Sequence, residues 1–168
     1  METFVDWPHN RLLRALPLDN LNWLRNQLER VECKSKQILL DADSSLDHVF
    51  FPDSGVISVV AVYANGDIIE MATIGREGFT GFQAIFGAES SSVRFLVQIP
   101  GSAARISRTA FAGLMEAMPS FRSVMFAYVQ AFLEPLPVAD RNLAAAAFDQ
   151  PGCLQLLSRV GHRRPLRT

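Results

Sequence analysis

The stretch Gly75-Arg76-Glu77-Gly78-Phe79-Thr80-Gly81 holds the residue types best suited to binding chemistry. Three glycines in so short a span let the backbone turn tightly and aim successive N–H groups at one point, which is how a loop cradles an anion. Arg94 is the nearest downstream cation that could pair with such a group. The plainer readings are a tight turn that only needs glycine and a strand arginine facing solvent. Arg76 and Glu77 read as solvated loop charges. Cys33 and Cys153 are too far apart for a metal-ligand spacing or an iron–sulfur set, and His9, His48 and His162 are scattered. No metal and no cofactor is therefore expected. Cys33, flanked by Glu32 and Lys34, reads as an ordinary half-exposed residue. Ser90-Ser91-Ser92 has no histidine and carboxylate in triad order, and no nucleotide-binding glycine signature is present. The chemistry points to binding, and the protein is not expected to be an enzyme.

A binding loop needs a scaffold. Leu12, Leu13, Leu16, Leu21, Leu24 and Leu28 recur at helical spacing over residues 10–30, with Pro17 dividing the segment and Asp19 near the second N-terminus. From 31 to 107 the apolar runs become short and β-branched. They predict strands at 31–34, 37–40, 47–51, 56–64, 67–74, 93–99 and 102–107, separated by turns. Asn65-Gly66 predicts a type I′ hairpin, and Pro52-Asp53-Ser54-Gly55 a second turn. Ser107 or Thr109 can cap a helix over 108–117, and Pro119 sits in the first turn of a longer one. On that helix Phe121, Val124, Met125, Tyr128, Val129 and Phe132 form an apolar stripe. Pro135 and Pro137 end it.

The bulk numbers narrow the class. The chain has 168 residues, 49% hydrophobic and 20% charged, with a net charge of −1. That composition supports a packed core and lacks the basic surplus of a nucleic-acid binder. Twelve phenylalanines against two tyrosines and two tryptophans favour packing over a wet stacking surface. No apolar run reaches the ~20 residues that span a bilayer, and the N-terminus shows no secretory pattern. A cytoplasmic setting is expected.

The order of elements and several segments resemble the cyclic-nucleotide-binding fold, most of all its Crp/Fnr branch of bacterial transcription regulators. His48 to Ser58 looks like that family's strand–turn–strand opening. Asn65-Gly66-Asp67 matches its hairpin, and Ile74 to Gly81 the approach to its phosphate-binding cassette. Ala104 to Phe111 resembles its last strand running into a helix. The resemblance implies a mainly β fold with flanking α: a double-stranded β-roll (jelly roll) over 1–118, a dimerisation helix over 119–134, and an atypical tail over 135–168. It implies ligand contact at Gly75, Gly78, Phe79, Thr80, Gly81, Phe82 and Arg94. It also implies a homodimer seam along the 121–132 stripe. In the family a carboxylate after the cassette glycine accepts the ribose 2′-hydroxyl, and an arginine pairs with the cyclic phosphate. Here Phe82 stands at the carboxylate position and the arginine is displaced to Arg94, so ordinary cAMP binding is not expected. No helix-turn-helix is recognisable after residue 134, as in a chain truncated or frame-shifted there. DNA contact within this chain is not expected. The implied role is an effector-sensing regulatory domain; a dimerisation module whose pocket is filled by its own side chains is the alternative.

Overall fold

The computed structural model describes residues 7–133. The tail over 135–168, where the Ala-rich stretch suggests one weak helix near 139–148, lies outside them. Two short helices, α1 (Arg11–Arg14) and α2 (Leu18–Arg25), precede seven strands. These are β1 (Glu29–Cys33), β2 (Ile38–Leu40), β3 (His48–Pro52), β4 (Val56–Val62), β5 (Ile68–Ile74), β6 (Arg94–Ile99) and β7 (Gly101–Ser107). Helices α3 (Arg108–Ala117) and α4 (Pro119–Leu133) follow. The strands form two antiparallel sheets, ordered β1-β7-β3 and β2-β6-β4-β5. This is the expected β-roll with a long helix behind it.

Local chemistry accounts for most boundaries. Asn10 caps α1, its side-chain oxygen accepting from Leu12 N and Leu13 N. Ser107, rather than Thr109, caps α3 through Ala110 N. Pro119 opens α4, where its missing N–H costs nothing. Leucine periodicity carried the helical expectation to residue 30, but Glu29 and Arg30 join β1 opposite Arg105 and Ala104. Pairing with β7 outweighs helix propensity there.

The hairpin turn differs from expectation. Gly66 has φ +89°, but Asn65 has no positive φ, so the turn is not type I′. Gly66 N donates to Tyr63 O at 2.9 Å, and Tyr63 N donates to Asp67 O at 2.9 Å. This is a type I turn followed by a left-handed glycine, the usual three-residue hairpin loop. The Asn65 side chain serves the turn by accepting from Asp67 N at 3.1 Å.

The core is aromatic. Phe51, Phe79, Phe95, Phe111 and Phe121 are all fully buried. Phe51 stacks on Phe79 at 5.4 Å, and Phe111 meets Phe121 edge-on at 5.4 Å. Such pairs add about 0.5–1.5 kcal/mol beyond burial. Cys33 is also buried, which corrects the half-exposed reading. It packs with Phe50, Val97 and Ala103. Burial, then the nearby Asp53 charge, pushes its thiol pKa up, so it is a poor nucleophile.

Candidate effector cassette

The glycine loop is tied down from three sides. Thr80, fully buried, donates from its backbone N to Phe50 O at 2.9 Å and accepts from Phe50 N on its hydroxyl at 3.2 Å. Asn10 Nδ2 donates to Gly78 O and to Pro52 O, both at 2.9 Å. Arg11 N donates to Arg76 O at 2.7 Å. Behind Asn10 lies the buried Asp53 carboxylate. It accepts from Trp7 Nε1 at 2.8 Å, His9 N at 2.7 Å and Asn10 N at 3.0 Å. The N-terminal segment is thus a strap across the loop and the β3–β4 turn.

Three amides of the loop already have partners. Gly75 N donates to Glu77 Oε1 at 3.0 Å, and Gly78 N to Gly75 O at 3.1 Å. Thr80 N donates to Phe50 O. These donors are not pooled toward one anion. Glu77 is therefore a turn-stabilising side chain and not merely a solvated charge.

Gly78 is a point of close approach. A Cβ there would lie 2.7 Å from Tyr128 Cζ and closer still to its hydroxyl. Tyr128 of α4 also packs on Phe79 at 5.2 Å between ring centroids. Burial, with the nearby Glu77 charge, pushes the Tyr128 phenol well above its ordinary pKa. The folded protein holds that proton more tightly than the unfolded chain does. The stabilisation is intact below the usual tyrosine pKa of about 10 and fades as pH rises past it. Between pH 9 and 11, Tyr128→Phe should lose less of its urea midpoint than the wild type. Equal losses would show that the phenol proton is not held.

The residue after Gly81 opens a 3₁₀ turn, Phe82–Phe86, that strand and helix periodicity missed. It is bracketed by Gly81 (φ 69°) and Gly87 (φ 77°), both left-handed. That glycine bracket was its only signal in the sequence. Phe82 is buried, edge-on to Phe95 at 5.8 Å and against Phe132 of α4 at 5.2 Å. Its neighbour Gln83 points to Ser91, and both are buried. Sequence reasoning singled out neither of these as a binding residue.

Arg94 does not reach out alone. Its Nε lies 2.7 Å from Asp41 Oδ1. That hydrogen bond lowers the Asp41 pKa, so the pair stays ionised. The Arg94 charge is thus engaged by the carboxylate of Asp41.

The α4 stripe faces the protein's own roll. Phe121, Met125 and Val129 are buried in the core, and Val124, Tyr128 and Phe132 are half-buried against it. With α4 seated, Phe121, Met125 and Val129 cannot form a seam with a partner, because the roll already covers them. The outer face of α4 carries Ser123, Phe126, Ala127, Gln130 and Ala131, all exposed, with the exposed Arg122 at its edge. Among the described residues no group of three His, Cys, Asp or Glu side chains is placed to hold a metal ion, and no helix is long and apolar enough to cross a membrane.

An antiparallel roll whose last strand runs into a helix, followed by a longer helix, is the arrangement the resemblance implied. The family model described as "Cyclic nucleotide-binding domain" matches residues 30–118, more than half of the chain. The chain belongs to the cyclic nucleotide-binding domain family. No curated protein sequence matches it. Among solved structures it is similar to a cyclic nucleotide-binding domain from Methylobacillus flagellatus. That match has 15% identity and a TM-score of 0.60, covering 90% of this chain and 82% of that one. It is similar to a CooA mutant from Carboxydothermus hydrogenoformans at 14% identity and a TM-score of 0.64, covering 95% and 98%. It is also similar to CLP, the c-di-GMP responsive global regulator of Xanthomonas campestris, at 14% identity and a TM-score of 0.60, covering 80% and 74%. At these identities the likeness shows the fold.

Proposed function

We propose that this chain is the effector-sensing domain of a Crp/Fnr-like bacterial transcription regulator, non-enzymatic and cytoplasmic. The observation that carries the reading is the direct packing of the cassette on α4. Phe82 meets Phe132, Phe79 meets Tyr128, and Gly78 lies under the Tyr128 hydroxyl. A ligand that shifts the 75–94 cassette must shift these contacts, and an effector biases a helix only through such differential contact. CLP, with the same fold, is described as linking signalling to gene expression.

In this reading α4 pairs with its counterpart in a homodimer. The outer face supports this: Phe126 exposes apolar surface there, and the small Ala127 and Ala131 let a second helix approach. Phe121, Val124, Met125, Tyr128, Val129 and Phe132, the expected seam, then serve to couple the helix to the cassette. DNA contact would belong to a helix-turn-helix outside this domain. The effector is not cAMP held in the family's usual way, because Phe82 offers no acceptor and Arg94 is engaged by Asp41.

A thermal-shift panel of cyclic nucleotides, cyclic dinucleotides and neutral metabolites tests the sensor. A true effector at a hundred times its Kd should stabilise by about 2.7 kcal/mol. A flat response across the panel instead favours the second reading, a dimerisation module whose pocket is filled. The burial of Phe79 and Phe82 supports that alternative. A clean monomer in sedimentation at high concentration would contradict the dimer in both.

A further inference from the structure

Gln83 and Ser91 form a buried polar pair within the cassette, 4% and 0% exposed. Ser91 Oγ donates to Val93 O at 2.7 Å and accepts from Gln83 Nε2 at 3.0 Å and Val93 N at 3.3 Å. A hydroxyl carries a single hydrogen. Because that hydrogen goes to Val93 O, Gln83 has to meet Ser91 with its amide nitrogen; the flipped amide would set acceptor against acceptor. The amide orientation is thereby decided, and Gln83 Oε1 is left buried with no hydrogen-bond partner among the described residues. Buried acceptors in native proteins nearly always have a donor.

The charges around the pair narrow what that donor is. From Gly78 to Val93 the one charged side chain is Glu89, an anion. Arg94, the next residue, is held by Asp41. Glu89 in turn pairs with Arg108 at 3.6 Å, so a phosphate brought to this cassette would find an acceptor carbonyl and two arginines already held by carboxylates. A hydroxyl or amide N–H carries the hydrogen that Gln83 Oε1 lacks.

We propose that Gln83 and Ser91 form a subsite for the hydrogen-bond-donating group of an uncharged small metabolite, with Gln83 Oε1 as the acceptor. The proposal deepens the effector-sensing reading and rests on it. The subsite is closed in this structure, and the 3₁₀ turn that carries Gln83 has left-handed glycines at both ends. Nothing lies within 4 Å of where a Gly87 Cβ would project, so that end of the turn is unencumbered. A swing of the turn about Gly81 and Gly87 opens the pair to ligand.

The test uses the full chain and three probes: adenosine and ribose, which are uncharged and hydroxylated, and cAMP. The Gln83 side-chain amide signal is assigned by its absence in Gln83→Leu and followed by NMR. Calorimetry gives the affinities. Adenosine or ribose should move that signal, bind at least tenfold tighter than cAMP, and weaken at least tenfold in Gln83→Leu. Ser91→Ala, which leaves the Gln83 side chain in place, should weaken binding in the same direction and guards against a folding defect in the first variant. If cAMP binds and Gln83→Leu is indifferent, the subsite falls while the sensor reading stands. If neither uncharged probe moves the Gln83 signal, the subsite is overturned whatever the thermal-shift panel shows.

Discussion

Asn10→Asp should lower the stability of this chain by about 3 kcal/mol or more, although aspartate is as good a helix cap as asparagine. The Asn10 Oδ1 that caps α1 would be kept. The Nδ2 that donates to Pro52 O and Gly78 O would become an oxygen facing two carbonyl oxygens. It would also introduce a second carboxylate beside buried Asp53, which already takes the Asn10 backbone N–H. Buried acceptors without donors cost about 1–3 kcal/mol each, and an unpaired buried charge costs more. Asn10→Ala removes the cap and the donor together and should cost a similar amount. Urea denaturation at neutral pH measures both through the midpoint at constant slope. An Asn10→Asp midpoint within about 1 kcal/mol of wild type would show that the strap does not depend on this donor.

Gly78→Ala carries the second large effect. A Cβ at 78 would clash with the hydroxyl end of Tyr128, so the tyrosine side chain, the loop or α4 has to move. Over-packing of this kind costs about 1–3 kcal/mol. Gly78 has no left-handed φ, so the cost is steric and does not come from backbone strain. The penalty should therefore shrink when Tyr128 is shortened. In a double-mutant cycle with Tyr128→Leu, Gly78→Ala should lose most of its effect, a coupling of about 1–3 kcal/mol. Additive losses would place the strain elsewhere in the loop and remove the argument that cassette and helix move together.

Both predictions concern residues whose types were visible in the sequence but whose reasons were not. Gly78 reads as a turn glycine. The residue that requires it, Tyr128, lies fifty positions away, and no local pattern joins them. Asn10 reads as nothing in particular; its partners Pro52 and Gly78 are 42 and 68 residues distant. Arg94 reads as a free cation until Asp41, 53 residues earlier, is brought to its side. Gln83 was not singled out at all. A glutamine in a short apolar run carries no periodic signal, and its unmatched acceptor follows from Ser91 and Val93 holding each other's hydrogen bonds.

The sequence by itself determined the strand and helix order, the breaks at proline and glycine, the cap region of α3, and the burial of most phenylalanines. These depend on propensity, turn chemistry and periodicity, which act over a few residues. It also carried the family, through segments from His48 to Phe111. The tertiary structure alone decided which face of α4 the roll covers and which loop amides remain donors. It alone decided where the Arg94 charge is directed. An apolar stripe is the same stripe whether it covers its own roll or a second subunit; only the position of the glycine loop, with Tyr128 over Gly78 and Phe132 over Phe82, settles where it lies.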